Sequence, residues 1–172
     1  MLRSLSADDA AAFAEHIAAD LERLSEFLPW PARTDTVEGA RAWLAQYDTE
    51  EDGRVLAAGI EQERRLLGGI VLFHHDRAMG SVELGCWVVA EGEGHGAVRA
   101  ACVEGLRQAR LMHGVERVVW QCDPRNTRSR LLADGLGFRY EGRLRSSYVL
   151  RGERLDTDVL SLVGAEIDTA IS

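Results

Sequence analysis

Lysine is absent from this chain: all 20 basic residues are arginine. That absence removes the Gly-Lys-Ser/Thr signature of a P-loop nucleotide site, whose lysine reaches the terminal phosphates. Cysteine is scarce too. Cys86, Cys102 and Cys122 are odd in number and widely spaced, which argues against a disulfide framework or a zinc site and fits buried free thiols in a reducing compartment. No window approaches the roughly 18 unbroken apolar residues of a membrane-spanning helix. The N-terminus "MLRSLSADDAAAF" turns acidic at Asp8 and Asp9 without an apolar stretch, so no secretory signal is expected. Nothing repeats, and no segment is low in complexity. The expectation is a cytoplasmic protein with no membrane association and no metal.

What is present is one domain's worth of chain, 172 residues, enough to bury a core. The net charge of −8 argues against nonspecific nucleic-acid binding, which depends on neutralising phosphates. The charge is uneven. Residues 117–154 hold nine arginines against four acids, whereas residues 1–116 hold eleven against twenty. The arginine-rich part is either a solvated surface or a face for one anionic small molecule.

Hydrophobic spacing orders the elements. "SADDAAAFAEHIAADLERLSEFL" opens on Ser6 with Asp9 three positions on, close to a capping box. Ala11, Phe13, Ile17, Leu21, Leu24 and Leu28 then recur at helical spacing until Pro29 and Pro31 end the helix. A second helix runs from Thr34 or Thr36 through "VEGARAWLAQY", with Val37, Ala40, Trp43 and Leu44 on one side. "RVLAAGI", "RLLGGIVLFHH" and "SVELGCWVV", separated by "EQER" and "DRAMG", read as an antiparallel meander. A helix to about His113, the strand "VERVVWQC", the turn "DPRNTRS" and a short helix stopped by Gly135 and Gly137 follow. Two strands around "RGER" close the chain as a hairpin. The fold class is α/β: a single domain over 1–163 with a mixed, mostly antiparallel central sheet flanked by helices, and a loose tail over 164–172.

The informative stretch is "VVAEGEGHGAVRAACVEGL", residues 88–106, where Gly92, Gly94 and Gly96 stand between a strand and a helix. Such a segment exposes backbone N–H groups at the positive end of the helix dipole and suits a phosphate or diphosphate. A Rossmann site needs a third glycine at the right spacing in a βαβ unit; here the glycines alternate and the preceding strands read as antiparallel. The diphosphate of coenzyme A remains.

The motifs then resemble those of the GNAT superfamily of acyl-CoA N-acyltransferases, in particular the RimJ/RimL type that acylates protein N-termini. "FLPWP" is similar to that family's Leu-Pro-Trp, "VELGCWVV" to its Ala-Glu-Ile-Gly-Tyr-Trp-Leu strand, and "EGHGAV" to its diphosphate motif. "CDPRNTRSRLLADGLGFRYEGRLR" follows its Asp-Pro-x-Asn-x-x-Ser segment ending in Gly-Phe-x-x-Glu-Gly, the most specific of these signals. Two positions depart. Glu93 stands where the family usually has Gln or Arg, and Val98 where it usually has Gly or Ala. A carboxylate beside a diphosphate repels it unless it turns to solvent or pairs with an arginine such as Arg99.

The resemblance implies the GNAT fold and direct attack of a neutral amine on the thioester of acetyl-CoA or another acyl-CoA, with no acyl-enzyme. It assigns cofactor binding to Val88 and Val89, to Gly94, His95, Gly96, Ala97, Val98 and Arg99, and to Asn126, which would bond the pantetheine. Ser129 would offer its hydroxyl to the departing sulfur. For the base, some relatives use a Glu on the last hairpin, where this chain has Tyr148. Glu83, on a strand face with Gly85 and Trp87, and His74 on the neighbouring strand are the candidates. Trp30 would line the acceptor pocket or anchor packing. The acceptor is a protein N-terminal α-amine, or alternatively a small amine or antibiotic, with acetyl or a larger acyl group; family habit implies a homodimer. A weakly catalytic CoA-binding module is the reading from another class.

Overall fold

The structure is a computed structural model that describes residues 2–48, 53–63 and 65–172; Arg64 of the "EQER" turn lies outside them. A three-residue strand, β1 (Leu2–Ser4), comes first; it is too short to show any periodicity. Ser6 then opens the first helical segment as its pattern predicts. Its N–H donates to Asp9 Oδ2 (2.9 Å) while its Oγ accepts from Asp8 N–H (3.4 Å). The segment is a 3-10 turn followed by α1 (Ala10–Ala19) and α2 (Leu21–Leu24). The uninterrupted helix expected to Leu28 is broken at Asp20, whose carboxylate accepts from Ala90 N–H (2.9 Å) and Arg23 Nε (2.7 Å). A long-range anchor thus outcompetes helix continuation.

After the Pro31–Arg33 turn, α3 (Val37–Asp48) buries Ala40, Trp43, Leu44 and Tyr47. Val37, expected on that face, is exposed because it stands at the helix's first position, ahead of the packed stripe. The meander follows as β2 (Leu56–Gln62), β3 (Arg65–Asp76) and β4 (Ser81–Val88). Then come α4 (Ala97–Leu111), β5 (Arg117–Cys122), α5 (Thr127–Gly135), β6 (Arg139–Leu150) and β7 (Glu153–Val163).

The expected loose tail is corrected. Residues Ala165–Ala170 form α6, and Ile167 is fully buried. Arg110 Nε donates to Asp168 Oδ1 (2.9 Å) and Arg107 donates to the Ile171 carbonyl (3.0 Å), tying α6 to α4. One apolar residue in the core outweighs the polar composition that suggested a tail.

The strands form one seven-stranded sheet in the order β1-β2-β3-β4-β5-β7-β6. Every pairing is antiparallel except β4–β5. On one face α4, α5 and α6 cover a core that includes Cys102, Leu106, Trp120, Phe138, Leu160 and Ile167. On the other, α1 and α3 cover Phe13, Ile17, Trp43, Leu44 and Trp87. Trp87 crosses Gly69 so closely that a Cβ there would lie 2.2 Å from the indole ring.

Candidate active site

The parallel pair β4–β5 is short, and that is what opens the sheet. Its register covers only Ser81–Arg117, Val82–Val118 and Glu83–Val119. Beyond it, Leu84–Val88 pairs only with β3 and Trp120–Cys122 only with β7. Two strand edges in mid-sheet therefore face a gap rather than each other. Backbone amides left this way need partners, and an extended amide-bearing chain such as a pantetheine arm supplies them.

The glycine segment closes one end of this gap. Gly94 and Gly96 have φ of +80° and +70°, and among the described residues no atom beyond their chain neighbours lies within 4 Å of where their Cβ would stand. The first helical bond of α4 is Ala100 N–H to Gly96 O (3.0 Å), and no side chain caps the helix. The N–H groups of Ala97, Val98 and Arg99 are thus presented at the positive end of a 15-residue helix. This open, uncapped cradle fits a diphosphate. His95 is exposed between the two glycines, Val89 N–H donates to Leu67 O (2.9 Å), and Val88 ends β4.

Glu93 pairs with arginine, as expected, but the partners are not Arg99. Its Oε1 accepts from Arg23 and from Arg128, each at 2.5 Å. Arg23 also donates to the Val88 carbonyl and to Asp20. Arg99 instead borders a separate hollow of about 640 Å³ with Val103, Arg107, Arg139 and α6. That hollow is larger than the groove beside Asp123 described below, but Glu83, Ser129 and Tyr148 do not line it.

On the α4–α5 face, Asn126 Oδ1 caps α5 by accepting from Ser129 N–H (3.0 Å). Ser129 Oγ accepts the Trp120 indole N–H (3.0 Å). Burial pushes the Cys122 thiol up, and the Ser129 hydroxyl is within its reach. The hydrogen bond with Cys86, then burial, raises the Cys102 thiol. Neither of these two thiols has the depressed pKa of a nucleophile.

On the opposite face, Glu83 stands at the foot of the gap with its side chain 12 % exposed. It accepts from Gln121 Nε2 (3.0 Å) and lies 3.1 Å from His74 Nδ1. That hydrogen bond raises the His74 pKa. The two base candidates therefore form one cluster, across the sheet from Ser129.

A third cluster escaped the sequence reading. Asp123, its side chain only 2 % exposed, accepts from the Arg125 backbone N–H (2.8 Å) and guanidinium (2.6 Å to Nη2) and from the Tyr148 hydroxyl (3.3 Å). Arg125 holds the Asp123 carboxyl below its usual range; burial, then Asp123, pushes Tyr148 up to about 12. The signal lay in the Asp-Pro-Arg run, but the partner 25 residues away is a tertiary fact. Beside this cluster, Glu26, Phe27, Arg125, Leu150, Arg151 and Leu155 line a groove of about 370 Å³ between the α2 segment and the β6–β7 hairpin.

Trp30 is given to packing. It stacks on Trp43 (centroids 4.9 Å apart) and meets Trp87 edge-on (5.5 Å). The groove is lined by its neighbours Glu26 and Phe27 instead.

Known proteins share the fold and part of the sequence. YdaF of Bacillus subtilis (strain 168), provisionally named a ribosomal N-acetyltransferase, is 29 % identical over 170 residues, spanning 96 % of this chain and 91 % of its own. The structure of Mycobacterium smegmatis RimJ in complex with CoA-disulfide superposes with a TM-score of 0.85 at 27 % identity, covering 96 % of this chain and 82 % of that one. RimL, a ribosomal L7/L12 α-N-protein acetyltransferase solved with coenzyme A, shares the fold at TM-score 0.87 and 17 % identity, covering 96 % and 94 %. The Acetyltransferase (GNAT) domain family matches residues 1–139, which include the parted strands, the glycine cradle and α5, and with that match the chain belongs to the GNAT acetyltransferases.

Proposed function

We propose that the protein transfers an acetyl group from acetyl-CoA to the α-amine of a protein N-terminus. The observation that carries the reading is the parting of β4 from β5 beside the uncapped start of α4. It offers strand edges to a pantetheine and free N–H groups to a diphosphate. Two of the relatives described above, YdaF and RimL, carry ribosomal acetyltransferase names, and this supports the N-terminal acceptor.

The amine attacks the thioester carbonyl, and the thiolate leaves. The main-chain N–H of Val88, which faces the gap while that of Val89 is held by Leu67, meets the developing oxyanion. Ser129, its oxygen held by the Trp120 indole, gives its proton to the departing sulfur. Asn126 fixes the start of α5 that carries Ser129. Glu83, on the far face with His74 and Gln121, takes the amine's proton directly or through water. An α-amine titrates near ~8 against about 10.4 for lysine, so it asks less of that base. The Tyr148 hydroxyl, donating to Asp123, leaves its lone pairs for an amine N–H. A cytoplasmic location and a homodimer belong to the same proposal.

Release of free thiol from acetyl-CoA, measured against a panel of N-terminal peptides, lysine side-chain peptides and small amines, tests the reading. Turnover confined to α-amines of peptides supports it. Turnover only with small amines, or only with a longer acyl-CoA, moves the protein to another acceptor or donor; binding without release makes it a CoA-binding module.

A further inference from the structure

Glu93 breaks its family's habit at the one place where a negative charge is least welcome, beside the diphosphate cradle. Its carboxylate is nevertheless not idle. Oε1 accepts two guanidinium groups that come from opposite walls of the cofactor entrance, Arg23 from α2 and Arg128 from the first turn of α5. The two arginines differ. Arg23 is 30 % exposed and fixed from three sides, by Asp20, the Val88 carbonyl and Glu93. Arg128 is 73 % exposed and held by Glu93. It also neighbours Ser129, so the Arg128–Glu93 contact bridges the opening between the glycine segment and α5.

We propose that Arg128 is a ligand of the cofactor diphosphate, with Glu93 as the stand-in anion that keeps its guanidinium over the cradle until the diphosphate takes its place. This rests on the acyl-CoA reading above. The charges favour the exchange. An exposed ion pair is weak because solvent screens it. A diphosphate offers more charge, and it is held at the same time by the N–H groups of Ala97–Arg99 and by the helix dipole. Arg23 keeps Glu93 aside once Arg128 has moved. Glu93 then lowers affinity for acyl-CoA and for CoA alike, which speeds release of the product.

The test is titration calorimetry of CoA and dephospho-CoA into the parent protein, Glu93→Gln and Arg128→Gln. Dephospho-CoA lacks the 3′-phosphate but keeps the diphosphate. Glu93→Gln is expected to lower the Kd of both ligands about two- to fivefold, the scale of one exposed ion pair. Arg128→Gln is expected to raise both Kd values by a similar factor and, combined with Glu93→Gln, to remove most of the gain. A merely structural pair would give weaker binding, not tighter, when Glu93 is neutralised. Unchanged or weaker binding by Glu93→Gln overturns the proposal, as does a gain seen with CoA but not dephospho-CoA. If the parent protein binds neither ligand, the acyltransferase reading falls with it.

Discussion

At the scale of single residues, the site depends on hydrogen bonds that free a chosen atom. Ser129 is the clearest case. Its oxygen accepts the Trp120 indole N–H and its backbone N–H is held by Asn126, which fixes the hydroxyl with its proton within reach of the Cys122 sulfur. Ser129→Ala is expected to lower kcat by about 10²-fold, the lower range for loss of general acid catalysis, with little change in KM for acetyl-CoA; steady-state kinetics reads both. Unchanged kcat would remove Ser129 from the reaction. His16 shows the reverse, a polar group kept neutral. It is buried and accepts the Trp87 indole N–H at Nε2 (3.3 Å), and burial lowers its pKa from 6.5 to about 4. Its depressed pKa makes the unfolded state bind the extra proton first, so stability is full above pH 6.5 and falls as the pH drops towards 4. Between pH 7.5 and pH 5 this amounts to about 2 kcal/mol. His16→Gln retains an acceptor for the indole but cannot titrate, and urea unfolding at the two pH values is expected to show that share of the slope gone.

Among elements, the start of α4 matters most. Gly96 adopts a left-handed φ of +70° in open space, which a β-branched side chain tolerates poorly. Gly96→Val is expected to weaken CoA binding by at least about tenfold while the melting temperature moves little, because strain at the cradle turns the N–H groups away from the phosphates. Calorimetry with CoA decides this; parent-like affinity would mean the diphosphate rests elsewhere. The glycine segment, the capping box at Ser6 and the Asn126–Ser129 start of α5 were all legible in the sequence, since each is a local matter of backbone geometry and short-range hydrogen bonds. The interruption at Asp20 was not. It depends on Ala90, 70 residues away, and helical periodicity carries no trace of such a partner. Which arginines pair with Glu93 was hidden for the same reason. Arg99 is near in sequence, but Arg23 and Arg128 are near in space.

For the molecule as a whole, the seven-stranded sheet separates two sets of groups. Ser129, Asn126 and the start of α4 lie with the α4–α5 side, while Glu83, His74 and the Asp123–Tyr148 pair face the side of α1 and α3. On the reading proposed above, the gap in the sheet admits a thioester from one face and an amine from the other. The same sheet needs its last element. Ile167 of α6 is fully buried against α4 and β7, so Ile167→Ala is expected to cost about 2–5 kcal/mol by loss of burial and creation of a cavity. Denaturant unfolding measures it, and a loss below about 0.5 kcal/mol, typical of surface changes, would return residues 164–172 to the status of a tail.

The sequence by itself determined the order and kind of the elements from α3 to β7, the cradle of glycines and the identity of the α5 motif, because periodicity, turn chemistry and capping act over a few residues. Only the tertiary structure decided where β4 and β5 part, that β7 lies between β5 and β6, and which arginines neutralise Glu93. Those outcomes depend on strand pairing and charge partners drawn from distant parts of the chain, and distance along the chain says nothing about distance in space.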